Sequence, residues 1–420
     1  MAFVEWPPRN YEPSLTPRDY VFPPMPKDSN PLRVGLIGAG GRGAGMMSLF
    51  CEHPWATCVA VADPLPDRRE EVCARLAKMK VSAKPYEDYR KMLESPEVEA
   101  VLIATPDYVH CENVKEAIAA GKHIFCEKPL AITVEDCDDM LRAHAARPDL
   151  VFGVGLCMRF TPICQTMHQL IADGQIGDVK IAYAIDSVAP GGRYYYHGWH
   201  RLKKNICSLL VQKGCHTLDI MNWCIGSVPR QVFASGRLAV FGGNEPNDLT
   251  CGHCRRYDCP ERMPDVVDTD FGVIAGRKQL CCWSKEIDVP DNSTLIATYA
   301  NGVRLTYTEI HFTPHYSREF TFVGDKGHIY GNTLDGRIEI RRRHAAGRVE
   351  VIYPGKRAGG HAGGDPGVVH EFLAAVREKR QPITDIVAGR WCTVLAITAE
   401  QSIETNQIVQ IPDLPEPRRH

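Results

Sequence analysis

The sequence predicts an α/β protein in two parts: a doubly wound parallel sheet, then an α+β region built on a large, mostly antiparallel open sheet. Three observations predict it. Val34, Leu36 and Ile37 make a short apolar strand that runs straight into Gly38-Ala-Gly-Gly-Arg-Gly43. Strand-like and helix-like segments then alternate as far as Val154. From residue 178 onward the segments become predominantly strand-like, as in a separate antiparallel sheet.

Taken in order, residues 1–30 form a proline-rich arm. Its prolines remove amide donors and fix φ, so neither helix nor sheet is expected. Such a segment is either disordered or extended. Interleaved Phe3, Trp6, Tyr11, Tyr20 and Phe22 favour an extended arm lying on a neighbouring surface.

Residues 31–155 make the first domain. Ala44 to Phe50 reads as helix, Cys58 to Ala62 as the second strand, and Pro66–Met79 and Tyr86–Leu93 as helices. Val98 to Ala104 is a third strand, stopped at Thr105-Pro106 because proline biases its predecessor away from helix. A helix from His110 to Ala120 ends at Gly121. The strand His123–Cys126 delivers Glu127-Lys128-Pro129 at its carboxyl end, where open α/β sheets gather their chemistry. Thr133 opens a helix to about Ala146 with a capping-box pattern, and Val151–Val154 closes the domain.

Residues 156–412 make the second domain, with 413–420 as a tail. Helices are expected at Thr161–Ala172 and from about Cys207 to Cys224. Strands are expected at Asp178–Val188, Gln231–Val240, Phe271–Ile274, Thr294–Tyr299, Val303–Ile310, Phe320–Val323 and Ile338–Arg342. Two helices, Gly367–Lys379 and Asp385–Asn406, precede an extended Ile408–Ile411.

Composition narrows the function classes. A net charge of −2 gives no general attraction to nucleic acid or an anionic membrane. No apolar run reaches the ~18 residues of a membrane span, and the N-terminus lacks a signal-peptide core. Seventeen cysteines is an odd count and many lie in apolar runs, which argues for buried thiols in a reducing cytoplasm.

The glycine run fits G-x-G-x-x-G. Gly38 permits the tight turn, Gly40 lets the backbone approach a pyrophosphate, and Gly43 lets the helix lie close on the strand. Gly41 and Arg42 lie between them and are expected to border the cofactor, with the N-terminal N–H groups of the following helix facing its anion. Asp63 ends the second strand twenty residues beyond Gly43, where an acid binds both ribose hydroxyls. It would repel a 2′-phosphate, so NAD is expected over NADP, although Arg68 and Arg69 stand close by.

With these residues the chain resembles the Gfo/Idh/MocA oxidoreductases. The resemblance rests on Gly38–Gly43, Ala104-Thr105-Pro106 with His110, Glu127-Lys128-Pro129, Arg159-Phe160 and His216, in the right order over roughly residues 31–412. It implies a Rossmann first domain, an open C-terminal sheet that builds dimers or tetramers, and NAD(P)-linked chemistry on sugars or cyclitols. It implies that Thr105, Pro106, His110, Glu127 and Lys128 border the cofactor and that Arg159 meets substrate. Lys128 would touch the substrate hydroxyl and stabilise a developing alkoxide. His216 would move the hydroxyl proton. The family commonly has an acid four residues before this histidine; here Gln212 stands instead. Lys213 and Asp219 share the helical face of His216, Lys213 to bind substrate or assist catalysis, Asp219 to orient the histidine or meet substrate.

Three further stretches stand out. Tyr196, Trp199 and His200 lie in an aromatic loop ahead of that helix and suit either carbohydrate stacking or an interface. Cys251, Cys254 and Cys259, with Cys281 or Cys282 as a fourth candidate, form either a structural zinc site or a set of reduced thiols. Gly359–Asp365 reads as a linker in which His361 is a possible substrate contact. The expected function is hydride transfer between nicotinamide and a hydroxyl-bearing carbon of a sugar, glycoside or cyclitol. The alternatives are a redox-neutral glycosidase or lyase on the same fold, and a non-catalytic dinucleotide sensor.

Overall fold

The structure, a computed structural model, describes residues 22–26, 29–189, 191–263, 266–269, 272–275, 279–355 and 357–416. Of the N-terminal arm, Phe3, Trp6, Tyr11 and Tyr20 lie outside them. Phe22 packs against His53 with the rings tilted and their centroids 4.4 Å apart, and Pro24 O accepts a 2.9 Å hydrogen bond from Trp55 Nε1. The end of the arm therefore lies on the chain's own first domain.

Strands β1 (Leu32–Ile37), β2 (Ala56–Ala62), β3 (Lys84–Tyr86), β4 (Ala100–Ile103), β5 (His123–Cys126) and β6 (Phe152–Val154) form one parallel sheet in the order β3-β2-β1-β4-β5-β6. Both of its faces are covered, which explains the continuous apolar runs. Ala100 and Leu102 face one core while Val101 and Ile103 face the other. Helices α1 (Gly41–Glu52) and α2 (Pro66–Lys78) cover the first face. A short α3 (Tyr89–Leu93), α4 (His110–Ala119) and α5 (Val134–Ala145) cover the second. Strand order reverses between β1 and β4, and that crevice at the carboxyl ends is the natural ligand position. The helix expected over Tyr86–Leu93 is corrected: Lys84–Tyr86 pairs as an edge strand, which tolerates Pro85, and Asp88 then caps α3 by accepting from the Arg90 N–H.

The second sheet comprises nine strands. After α6 (Pro162–Ala172) come β7 (Val179–Ser187), a short α7 (Lys203–Ile206), α8 (Cys215–Ile225) and β8 (Pro229–Arg237). A two-stranded pair β9 (Val266–Thr269) and β10 (Gly272–Ala275) stands apart from it. The remaining strands are β11 (Asn292–Tyr299), β12 (Arg304–Ile310), β13 (Ser317–Gly324), β14 (Gly327–Asn332), β15 (Arg337–Arg342), β16 (Val349–Ile352) and β17 (Val409–Gln410). Their order is β16-β15-β14-β13-β7-β12-β11-β8-β17, antiparallel throughout except for the parallel β7–β12 pair. Helices α8 and α10 (Ile386–Thr405) pack on its inner face against Leu295, Leu305, Phe320 and Phe322. Strand β14 escaped the sequence pattern because Gly327 and Gly331 read as breakers. At Gly331 a Cβ would meet Met167 Sδ at 2.4 Å, so glycine there lets α6 sit close on the sheet.

The helix expected from Cys207 is broken. Cys207 takes φ +64° and ψ −65°, a γ-turn closed by Ser208 N–H to Ile206 O at 2.8 Å. A single π turn over Leu210–Gly214 precedes α8 and presents Gln212 and Lys213 to the interior. Helix α9 (Gly360–Glu378) begins with a left-handed turn, with φ of +51°, +53° and +82° at His361, Ala362 and Gly363. It then crosses back to the first sheet. Phe372 makes edge contacts with Phe50 and Phe125, ring centroids 6.0 and 5.5 Å apart. Phe372→Ala is therefore expected to destabilise the protein by about 3–5 kcal/mol, measured by urea unfolding.

Candidate active site

The glycine turn is built as a cradle. Gly38 holds φ +94°, and a Cβ there would stand 2.7 Å from Ala104 O; a Cβ on Gly43 would stand 2.0 Å from Gly38 O. Around Gly40 a Cβ would meet nothing within 4 Å, so the open side of the turn lies there. The first turn of α1 has no side-chain cap and no acidic residue, which leaves the amides of Gly41 and its neighbours for an anion. Asp63, buried at the end of β2, accepts from Ala39 N–H and Leu65 N–H at 2.9 Å each, while Arg68 stands 4.0 Å away. Open cradle, uncapped helix and strand-end acid fit a dinucleotide, with the pyrophosphate over Gly40 and the ribose at Asp63.

Lys128 follows β5, joined to Pro129 by a cis peptide. Its Nζ donates to Gln212 O at 2.6 Å and Gln212 Oε1 at 2.8 Å. Gln212 Nε2 in turn donates to Asp107 Oδ2 at 2.8 Å. Burial pushes the Asp107 carboxyl up to about 7 although Lys128 and Gln212 pull it down. One turn beyond Gln212, His216 is 1% exposed and neither ring nitrogen has a hydrogen-bond partner. Burial first, then Lys128 and His361, hold its pKa well below the usual value, so the imidazole is neutral. Lys213 Nζ donates to Tyr316 OH at 2.6 Å. Burial and Arg318 lower the lysine's pKa. Burial would raise the Tyr316 phenol, but Arg318 and Lys213 together pull it down, with 41% of the residue open to solvent.

Residues 32–156 match the oxidoreductase family described as an NAD-binding Rossmann fold, and residues 168–411 match its C-terminal alpha/beta domain. The chain belongs to the Gfo/Idh/MocA oxidoreductases. Among its relatives, the putative oxidoreductase YteT of Bacillus subtilis (strain 168) is 26% identical over 82% of this chain and 87% of its own. A 2,7-anhydro-N-acetylneuraminate hydratase of Mediterraneibacter gnavus is 24% identical over 72% of this chain and 77% of its own. An inositol 2-dehydrogenase of Pseudomonas fluorescens (strain SBW25) is 31% identical over 46% and 54%. A levoglucosan dehydrogenase in complex with NADH superposes with a TM-score of 0.71 over 91% of this chain and 100% of that one; at 21% identity the likeness concerns the fold.

Several of the expected site residues are engaged with other parts of the chain. The Arg42 guanidinium is engaged by Glu127 at 2.9 Å and, through two bonds of 2.9 Å, by Asp365, because two buried carboxylates need a counter-charge. His110 is fully buried between Pro129 O and Thr105 O, at 2.9 and 3.0 Å, and ties together the loops after β4 and β5. Thr105 Oγ1 bonds Asn113, while Pro106 stays exposed at the rim. Asp219 does not bond the His216 ring, and it is engaged with Arg159 instead. They pair with each other at 2.8 and 2.5 Å and lock the turn after β6 to α8.

The aromatic loop turns inward. Tyr196 is 0% exposed, stacked on Phe241, and its hydroxyl donates to Pro290 O at 3.1 Å. Trp199 packs against the same small core, with the His200 ring 4.0 Å away. The neighbouring Tyr195 instead meets His311 edge-on at 5.1 Å and lies in the electrostatic field of Tyr316 and Arg318. Cys251, Cys254 and Cys259 line one cavity with Cys281. Among the described residues, no three of their sulfurs lie within 4.8 Å of one another. Each takes a separate N–H donor instead, from Met263, Arg256 and Trp283. The thiols thus do not form the closed set a structural zinc needs.

Sequence reasoning singles out His361 in the G-G-H-A-G-G-D run but misses Asp107, Tyr316, Arg318 and Asp365, of which only Asp365, at the end of that run, carries a signal. Gly40→Ala is expected to fold with an unchanged melting temperature yet bind NAD at least about tenfold more weakly, since its methyl projects into the open cradle. Calorimetric titration beside a melting curve checks both halves.

Proposed function

We propose that the protein is an NAD-dependent dehydrogenase acting on a hydroxyl-bearing carbon of a sugar, glycoside or cyclitol. The observation that carries this reading is His216: a neutral, buried imidazole with two unpartnered nitrogens, one turn from the residue that holds Lys128. A bound nicotinamide supplies the hydride acceptor. Two Lys128 N–H groups are engaged by Gln212, and the third is left for the substrate oxygen. His216 takes the hydroxyl proton at a ring nitrogen while the Lys128 ammonium stabilises the forming alkoxide. Asp63 supports NAD over NADP by repelling a 2′-phosphate. Free thiols at all seventeen cysteines support a reducing cytoplasm. No helix among the described residues is long and apolar enough to cross a membrane.

A redox-neutral elimination or hydration is the second reading. It is favoured by Asp107, a carboxyl near 7 able to exchange a proton close to Lys128, and by the hydratase names among the relatives. Incubation with NAD and a panel of sugars and glycosides separates the two. Stoichiometric NADH supports dehydrogenation, whereas product without NADH supports the alternative. Lys128→Met is expected to lower turnover about 10²–10³-fold and His216→Ala about 10²–10⁴-fold, with NAD still bound. Because the His216 pKa is depressed, the acid limb of the wild-type rate profile should lie on the acid side of an ordinary histidine's and vanish in His216→Ala. Near-normal turnover in that variant would overturn the assignment.

The outer face of the nine-stranded sheet supports a homo-oligomer. Phe233, Ile296, Thr306 and Tyr183 stand side by side across β8, β11, β12 and β7, and the three large ones are exposed, with Ile185 beside them. A second copy presenting the same stripe is the natural cover. Ile296→Glu is expected to halve the particle mass seen by light scattering, or to split a tetramer into dimers.

A further inference from the structure

Cys157, His216 and His361 come from three separate segments: the turn after β6, helix α8 and the left-handed turn opening α9. One ligand atom from each lies within 4.8 Å of the other two. A thiol and two imidazoles make a donor set for zinc-like cations rather than magnesium or calcium. Two further observations point to a ligand. His361 Nδ1 lies 3.1 Å from both Asp365 oxygens, so the carboxylate orients the ring and Nε2 becomes its ligating nitrogen, the usual support of a metal-bound histidine. His216 is buried with both nitrogens unpartnered, which a native interior rarely tolerates without a ligand.

We propose that Cys157, His216 and His361 form a three-ligand site for a thiophilic divalent cation of the zinc class, with the fourth position open to water. On binding, the Cys157 S–H bond breaks, a sulfur–metal bond forms, and one proton leaves to solvent; both imidazoles enter neutral and no redox change occurs. Lys128, Lys213 and Arg318 also stand around His216, so the site is weaker than a closed structural one. One nitrogen cannot be both metal ligand and proton acceptor. Loading the site therefore suppresses the dehydrogenation proposed above. That consequence rests on the dehydrogenase reading; the binding does not.

Cobalt(II) titrated into the full-length, metal-free protein tests the site, because cobalt–thiolate charge transfer reports sulfur ligation directly. One equivalent is expected to give this band, with one proton released to a weakly buffered solution. The band should persist in Cys254→Ser, be lost in Cys157→Ser, and require at least about tenfold more cobalt in His361→Gln. NAD binding by each variant verifies that it has folded. If Cys157→Ser does not fold, the His361→Gln and Cys254→Ser titrations decide alone. Absence of a band, its survival in Cys157→Ser, an unshifted titration in His361→Gln, or its loss in Cys254→Ser overturns the proposal. If cobalt binds as expected but turnover is unaffected, the site stands and the role of His216 as proton acceptor falls. If cobalt does not bind while His216→Ala slows turnover, the site falls and the dehydrogenase reading stands.

Discussion

The Arg42 guanidinium joins three distant parts of the chain at one point. It sits in the glycine turn, bonds Glu127 at the end of β5, and holds Asp365 at the start of α9. A lone carboxylate at either buried position would carry a large desolvation cost. Burial indeed raises the Glu127 pKa, whereas His361 and Arg42 outweigh burial and hold Asp365 well below its usual value. The three charges are stable only together. Two residues of the candidate site hang from this clamp: Lys128 is the next residue after Glu127, and His361 is bonded to Asp365.

From the clamp outward, polar bonds rather than apolar packing fix the site. Lys128 is held by Gln212, and Gln212 by Asp107, so one chain of bonds runs from the first domain to the π turn and back. The carboxylate in this chain of bonds is Asp107, which reaches the lysine through the Gln212 amide. On the far side, Thr217 and Arg318 share Asp186, and Tyr307 links Asp186 to Glu309. That buried network lies under Tyr316 and Lys213, so the inner face of the second sheet is polar where it meets the site and apolar elsewhere.

How far the sequence reveals this depends on the range of the interaction. Gly38, Gly43 and Asp63 were legible because their roles are local: a left-handed turn, a close helix–strand approach, a strand end. Lys128 and His216 were legible through motif context. The ion cluster of Arg42 and Glu127 is not legible because a motif does not reveal a counter-charge more than three hundred residues away. The opposite faces taken by Tyr195 and Tyr196 are not legible because an irregular turn gives no period from which to choose a face. The cysteine run has metal-like spacing, yet the loop spreads its sulfurs, while Cys157 joins two histidines that no spacing rule connects to it.

The return of α9 to the first sheet bears on how the chain is made. Phe50 and Phe125 leave the ribosome long before Phe372, and until then the face of the parallel sheet that α1 and α2 cover lacks the part of its core that α9 supplies. Arg42 and Glu127 likewise wait for Asp365. The first sheet's packing is thus completed only after α9 has been made, and a nascent chain stalled before α9 carries an exposed aromatic surface with an unfinished ion cluster. For this protein, the period during elongation is when chaperone capture or aggregation competes most directly with folding.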